Sequence, residues 1–252
     1  MVTYDPNLRL RLPTTNDHLD EIVLNETFRD WNDYITADFE RRYRDRKGSP
    51  CGDKYQHSPD RELLELCREH ADRYNKSLTA DNVLILVHPF YLSLTHMPNL
   101  NQETEKEYQG YLNKLFNLLQ SEFDRSKLGI IVFETAYHYA AATSLLLESG
   151  LADLAVFTQY DSGYFVRNSD LSYLEDKSFF FAGGYNGQCL ASAIENVQAI
   201  DFRKKEGFSE VWAVRDLVLN NPCNHHLTPE IVYSVRSSKT LDLNQLIKKL
   251  NL

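Results

Sequence analysis

The predicted fold depends most on the stretch SFFFAGGYNGQCLASAIENV, which spans residues 178–197. Its aromatic run, Phe179–Phe181, has the length of a buried strand and is too short for a helix. Gly183 and Gly184 interrupt the run. A helical pattern then begins, with an apolar face formed by Leu190, Ile194 and Val197. The stretch therefore predicts a corner at which a strand turns into a helix.

Cys189 lies just inside the predicted helix, and Asn186 is a candidate for its N-cap. The positive end of the helix dipole favours a thiolate over a thiol, so a nucleophilic cysteine would be placed here. The alternative interpretation makes Cys189 a small apolar residue that packs against the sheet. Its position in the sequence leaves both interpretations open.

Apolar runs of strand length alternate with helical patterns from residue 82 onwards. Strands are predicted at residues 83–87, 130–134, 154–159, 179–182, 211–214 and 231–235. Helices are predicted at residues 102–123, 136–147 and 241–250, besides the one that carries Cys189. This alternation predicts an α/β fold with three layers, in which helices cover a parallel sheet.

The first third of the chain has a different pattern from the rest. Residues 1–80 are highly charged, and their apolar residues recur at helical spacing. We therefore expect a helical N-terminal extension at residues 1–80 and an α/β domain at residues 81–252. The apolar faces of the extension either pack on the domain or form an interface between copies of the chain in a homo-oligomer.

Composition argues against several classes of partner. The formal net charge is -9, and the basic residues are spread along the chain, which disfavours nucleic acid and anionic membranes as partners. The start of the chain lacks the apolar core of a signal peptide, and no apolar stretch is long enough to span a bilayer. The four cysteines form no CxxC pair and indicate reduced thiols in a cytoplasmic protein.

Polar residues at the ends of the predicted strands outline a candidate ligand site. Ligands of open α/β sheets bind beyond the carboxyl ends of the strands, where the strand order reverses. The residues at those ends are His88, Glu134, Gln159 with Asp161, Tyr185 to Cys189, and Arg215 with Asp216. The segment 160–165, which contains Tyr164, either lines the pocket and stacks on a flat ligand or serves packing.

Residues 182–193, AGGYNGQCLASA, resemble the cysteine corner of the isochorismatase-like hydrolases, which include nicotinamidases. That corner has a glycine six residues before the nucleophilic cysteine and then a helix rich in small residues. Residues 83–90, residues 156–159 followed by Phe165, and residues 210–216 are similar to the family's other strands in order and spacing. The resemblance covers residues 82–250 and implies the family's fold.

The family's catalytic triad is an Asp, a Lys and a Cys, and this chain departs from it. Cys189 matches the cysteine, but His88 occupies the position of the aspartate and Gln159 that of the lysine. In one hypothesis His88 and Cys189 form a Cys–His pair that cleaves an amide or similar bond of a small molecule, and Gln159 donates a hydrogen bond to the oxyanion. In the other, the chain is catalytically inactive and binds a ligand or a protein.

We expect the substrate-binding side chains to be Glu134, Asp161, Tyr164, Tyr185 and Asn186. No metal or other cofactor is expected. His225 and His226 are adjacent and would face opposite ways in an extended segment, so they would not chelate one ion easily. The expected partner is a small-molecule ligand.

Overall fold

The computed structural model describes residues 61–92, 102–121, 123–159, 163–165, 172–201, 211–221 and 239–252. The strands are β1 (Asn82–Val87), β2 (Gly129–Glu134), β3 (Leu154–Phe157), β4 (Ser178–Gly184), β5 (Val211–Leu219) and β6 (Lys239–Leu241). The α-helices are α1 (Arg61–Tyr74), α2 (Gln102–Gln120), α3 (Ala136–His138), α4 (Ser144–Glu148), α5 (Cys189–Asp201) and α6 (Leu243–Leu250). A π-helix, Tyr139–Thr143, joins α3 to α4, and a short 3-10 helix spans Ser172–Leu174.

The six described strands form one parallel sheet in the order β3-β2-β1-β4-β5-β6. The centre is β1, where Ile85 is level with Ile131 of β2 on one side and with Phe181 of β4 on the other. The order runs one way from β1 to β3 and the opposite way from β4 to β6. The place where it reverses therefore lies between β1 and β4. The parallel α/β sheet predicted from the sequence is confirmed.

Helices cover both faces of the sheet, and strands β1 to β5 each divide their side chains between two apolar clusters. Helices α1, α2, α4 and α6 pack on the first face, which receives Leu84 and Phe180. Helix α5 packs on the second face, which receives Phe179 and Phe181. Because both faces are covered, the central strands are continuous apolar runs without a polar alternation.

Helix α1 belongs to the N-terminal segment that the sequence separates from the α/β domain. Its residues Cys67 and Ala71 are buried in the first apolar cluster, so this helix packs on the sheet-bearing part of the chain. The Cys67 thiol donates to the carbonyl of Ala136 over 3.3 Å, and burial raises the pKa of this thiol to about 12. The other helices expected in the extension lie outside the described residues.

Three buried polar side chains in contact with one another link α1 to α4 and to the π-helix. His70 Nε2 lies 2.6 Å from Glu148 Oε1, and His70 Nδ1 lies 2.7 Å from the hydroxyl of Tyr139. The three side chains are almost fully buried. Burial raises the pKa of Tyr139 above its ordinary value, so this phenol stays neutral. We refer to His70, Tyr139 and Glu148 as the helix-fastening triad.

Strand β5 and the elements after it differ from the sequence-based expectation. Arg215 and Asp216 were expected at the end of a short strand, but β5 continues to Leu219. The register with β4 shifts between Phe181 and Gly183, so both residues lie in an irregular part of the strand. The last described strand is β6, and the run predicted at residues 231–235 lies outside the described residues.

Asp216 stabilises the start of α6 and is not part of the candidate site. Its Oδ2 accepts a hydrogen bond from the backbone N–H of Leu243 over 3.0 Å, and its Oδ1 lies 3.4 Å from Lys114 Nζ. The bond from Leu243 is the main reason that the pKa of Asp216 lies below its ordinary value, and Lys114 adds to the effect. Asp242 is the N-cap of the same helix and forms a capping box with Gln245.

We expect Asp216→Asn to lower the free energy of unfolding by about 0.3–1 kcal/mol at pH 7, because the amide keeps an acceptor for the N–H of Leu243 but loses the negative charge beside the positive end of α6. The pKa of Asp216 is lowered in the folded state, so this stabilisation is present above about pH 4 and disappears as the pH falls through the folded-state value. Urea unfolding of both proteins between pH 3 and pH 7 measures the difference. A difference that stays constant down to pH 3 would contradict the assignment, and Lys114→Ala, at an exposed pair, should have little effect.

Candidate functional site

The carboxyl ends of β1, β2 and β4 meet where the strand order reverses, and aromatic and polar side chains gather there. The Tyr91 ring lies at the centre of the group. Its centroid is 6.1 Å from that of His88, 5.0 Å from that of His138 and 5.1 Å from that of Tyr185. We call this set the edge cluster; its members are His88, Tyr91, Glu134, His138, Thr158, Tyr185 and Asn186.

His88 follows β1 in a left-handed backbone conformation, with a φ of 41°. This region is uncommon for residues other than glycine, and such residues are frequent at functional sites. The backbone N–H of His88 donates to the carbonyl of Phe133 over 2.9 Å, and His88 Nε2 lies 2.8 Å from Thr158 Oγ1. The imidazole is therefore buried and fixed in orientation at the place where the sequence puts it.

Tyr111 of α2 supports the turn that carries His88. Its hydroxyl donates to the carbonyl of Pro89 over 3.1 Å. Burial is the main cause that raises the pKa of Tyr111 well above its ordinary value, with further contributions from Tyr108 and Glu134. The phenol therefore keeps its proton, and the hydrogen bond to the turn after β1 persists throughout the physiological pH range.

Glu134 is fully buried at the end of β2, and each of its carboxylate oxygens has a partner. Oε1 accepts from the backbone N–H of Thr135 over 3.0 Å, and Oε2 accepts from the Thr143 hydroxyl over 3.0 Å. His138 Nδ1 lies 3.4 Å from Oε1. The carboxylate thus ties β2 to α3 and to the π-helix. Such local departures from α-helical winding are frequent at functional sites.

Cys189 is the first residue of the 13-residue helix α5, as the sequence predicts for a cysteine at the corner. It is 5% exposed and belongs to the second apolar cluster, together with Val83, Val87 and Leu190. Gly163 packs against the same helix end, where a Cβ would overlap the Cys189 carbonyl. The surroundings described for this residue are mainly apolar.

Gln159 and Tyr164 lie on the segment after β3. The Gln159 side chain is exposed, and its Nε2 donates to the carbonyl of Phe165 over 3.1 Å. Its backbone N–H donates to the carbonyl of Tyr164 over 2.7 Å, and Thr158 forms an isolated bridge with Phe165. Tyr164 is 47% exposed. Asp161 lies outside the described residues.

Tyr185 and Asn186 form the turn between β4 and α5, and both are buried. The Tyr185 carbonyl accepts from the N–H groups of Gln188 and Leu190 over 3.0 Å and 3.2 Å. Asn186 Nδ2 donates to Asn220 Oδ1 over 3.0 Å, while no hydrogen-bond donor in the described part of the chain reaches Asn186 Oδ1. The expectation that Asn186 caps α5 is therefore wrong, because its side chain points to β5 and not to the helix.

Several members of the edge cluster were not among the site residues expected from the sequence. His138 follows Glu134 by four residues, a spacing that brings the two together only when a helix begins directly after β2. Helix α3 does begin there, at Ala136. Tyr91 and Thr158 gave no sequence signal, because their place in the cluster depends on tertiary contacts.

Other features of the described residues add no chemistry to this site. No group of three His, Cys, Asp or Glu side chains in the described ranges is placed to hold a metal ion. None of the described helices is both long and apolar enough to cross a membrane. A cleft of about 430 Å³ lies at the opposite edge of the sheet, lined by Asp81, Asn82, Ser126, Lys127, Ser178, Lys249 and Leu250.

The family resemblance rests on the cysteine corner at residues 182–193 and on the order of the strands around it. Comparisons of the chain with models of known protein families, with curated proteins and with solved structures find no match.

Proposed function

We propose that this chain is an isochorismatase-like α/β domain that binds a small molecule at the edge cluster and does not use Cys189 as a nucleophile. The observation that carries the proposal is that each of the three side chains expected to form the catalytic group has described contacts outside that group. His88 Nε2 is bonded to Thr158, the Gln159 side chain is bonded to Phe165 and exposed, and Cys189 packs in an apolar cluster.

The strand order and the cysteine corner support the family assignment within this proposal. Strand β4 leads through Gly183 and Gly184 into α5, which begins at Cys189, so the strand–turn–helix corner has the order that the resemblance implies. The corner borders the reversal of strand order between β1 and β4, where ligands of open α/β sheets bind.

The chemistry of the edge cluster supports ligand binding. Tyr91 and Tyr185 meet edge to face, which gives the site an aromatic wall. The buried carboxylate of Glu134 and the imidazoles of His88 and His138 supply polar groups within the same small region. A few fixed polar groups beside aromatic rings are typical of small-molecule sites.

The reactivity of Cys189 towards iodoacetamide tests the proposal. We expect Cys189 in the native protein to be alkylated slowly or not at all. If it is labelled, the rate should follow an ordinary thiol titration at about pH 8.5, the value for free cysteine. His88→Ala should not change the titration. Mass spectrometry reads the modified peptide, and buried Cys67, whose pKa is raised to about 12, serves as an internal control because it labels only if the protein opens.

The opposite result would favour the second candidate, a cysteine hydrolase with His88 as base. The position of Cys189 at the start of α5 is the observation that supports this second candidate. An inflection well below pH 8.5 that rises in His88→Ala would overturn the proposal. Ammonia release from a panel of small primary amides, present in the wild type and absent in Cys189→Ala, would do so independently.

A further inference from the structure

Asn186 has a buried oxygen that the described protein leaves without a hydrogen bond. The residue is 2% exposed, and its backbone N–H donates to the carbonyl of Leu219 over 2.8 Å. Its Nδ2 is used by Asn220, but no donor among the described residues reaches Oδ1. Buried side-chain acceptors in native proteins are nearly always bonded, so an unbonded one calls for an explanation such as a ligand.

Neutral amide side chains link the turn that carries this oxygen to the residues after β5. Asn221 Nδ2 donates to Gln188 Oε1 over 3.1 Å, beside the pair formed by Asn186 and Asn220. Together the two pairs join the turn before α5 to the end of β5. Asn186 lies in the turn that leads directly into this 13-residue helix, whose N-terminus offers backbone N–H groups and a positive dipole end.

We propose that Asn186 Oδ1 accepts a hydrogen bond from the N–H of a neutral, planar ligand that carries a carbonyl beside that N–H, as a lactam or a pyrimidine base does. The inference rests on the proposed function and specifies its ligand. Amide side chains pair well with such an edge, because each offers an acceptor and a donor side by side. A carbonyl beside the N–H suits the donors at the start of α5.

The aromatic part of the edge cluster accounts for the planarity of the ligand. Tyr185 directly precedes Asn186, and its ring meets the half-buried ring of Tyr91 at an interplanar angle of 74°. Because Tyr185 and Asn186 are consecutive residues, we expect a flat ring held by Asn186 at one edge to reach these aromatic side chains. Stacking on aromatic faces is the usual way in which proteins hold bases and related rings.

Binding of uracil to the full chain tests the proposal, with 1,3-dimethyluracil as a matched probe that lacks both N–H donors. We expect uracil to raise the melting temperature of the wild type and 1,3-dimethyluracil to leave it unchanged. In Asn186→Leu the dissociation constant of uracil, measured by calorimetry, should rise by about tenfold or more. This increase corresponds to the free energy of one lost hydrogen bond. Asn220→Ala, which keeps the Asn186 oxygen, should still bind uracil.

The stability of Asn186→Leu gives a second readout that needs no ligand. Asn186→Leu and Asn220→Ala both lose the hydrogen bond between the two amides, but only Asn186→Leu also removes the unbonded buried acceptor, so its melting temperature should equal or exceed that of Asn220→Ala. A wild type that does not respond to uracil, or equal responses of the wild type and Asn186→Leu, would overturn the inference. If other small molecules bind while uracil does not, the proposed function stands and this inference falls. If uracil binds and Cys189 is a reactive thiolate, this inference stands and the proposal that Cys189 is not a nucleophile falls.

Discussion

Replacing Gly183 with alanine is expected to lower the free energy of unfolding by about 3–5 kcal/mol, the sum of backbone strain and overpacking at one buried position. Gly183 has a φ of 93°, which L residues with a side chain rarely adopt. A Cβ there would overlap the backbone carbonyl of Val87 on the neighbouring strand. Because the obstacle is backbone, no side-chain rotation relieves it, and β1 and β4 would have to separate.

The matched control for this substitution is Gly110→Ala on α2. A Cβ at Gly110 has no heavy atom within 4 Å, and the residue lies in the interior of the helix. Alanine there should raise the free energy of unfolding by about 0.5–1 kcal/mol, because it has the higher helix propensity. Urea unfolding of both variants measures the contrast. Two small effects of similar size would show that β4 does not need glycine at residue 183.

The strands of the sheet could be predicted because a parallel sheet covered on both faces leaves a simple pattern. The runs at residues 83–87 and 130–133 are apolar at every position, and both lie in central strands and are buried throughout. The aromatic run of β4 is also continuous because both faces of the sheet are covered there. Alternation with helical patterns then restricts the connections, since parallel neighbours need a crossover between them.

The irregular elements could not be predicted in the same way. The π-helix at Tyr139–Thr143 lies within a segment of plain helical composition, and its position coincides with the bond from Thr143 to the buried carboxylate of Glu134. The register shift in β5 likewise moves Arg215 and Asp216 away from the strand end. The first feature coincides with a side-chain contact between two elements and the second with the pairing of β4 and β5, and periodicity encodes neither.

The sequence predicted where the candidate site lies better than it predicted which side chains contact one another there. Reading the residue at each strand end identified His88, Glu134 and Tyr185, which all lie in the edge cluster. Gln159 was identified by the same rule, yet its side chain turns outward because β3 ends at Phe157. Beyond a strand end the alternation of side chains between the two faces of the sheet no longer holds, and apolar runs do not fix strand ends closely enough to show where it stops.

The helix-fastening triad should give the second large effect on stability, through His70→Leu. This substitution leaves the carboxylate of Glu148, whose side chain is 3% exposed, without the imidazole that lies 2.6 Å away. Breaking a buried pair by removing one partner costs about 3–5 kcal/mol, because the remaining charge stays uncompensated. We expect the free energy of unfolding to fall by that amount.

The double variant His70→Leu/Glu148→Leu separates a true pair from two independent packing residues. When both polar partners become apolar, no charge remains buried, so the double variant should be more stable than His70→Leu alone and lie within about 1–2 kcal/mol of the wild type. Chemical denaturation of the wild type, both single variants and the double variant completes the cycle. Additive losses would refute the pairing of His70 with Glu148. The predicted non-additivity would instead establish that a buried imidazole–carboxylate contact attaches α1 to the sheet-bearing part of the chain.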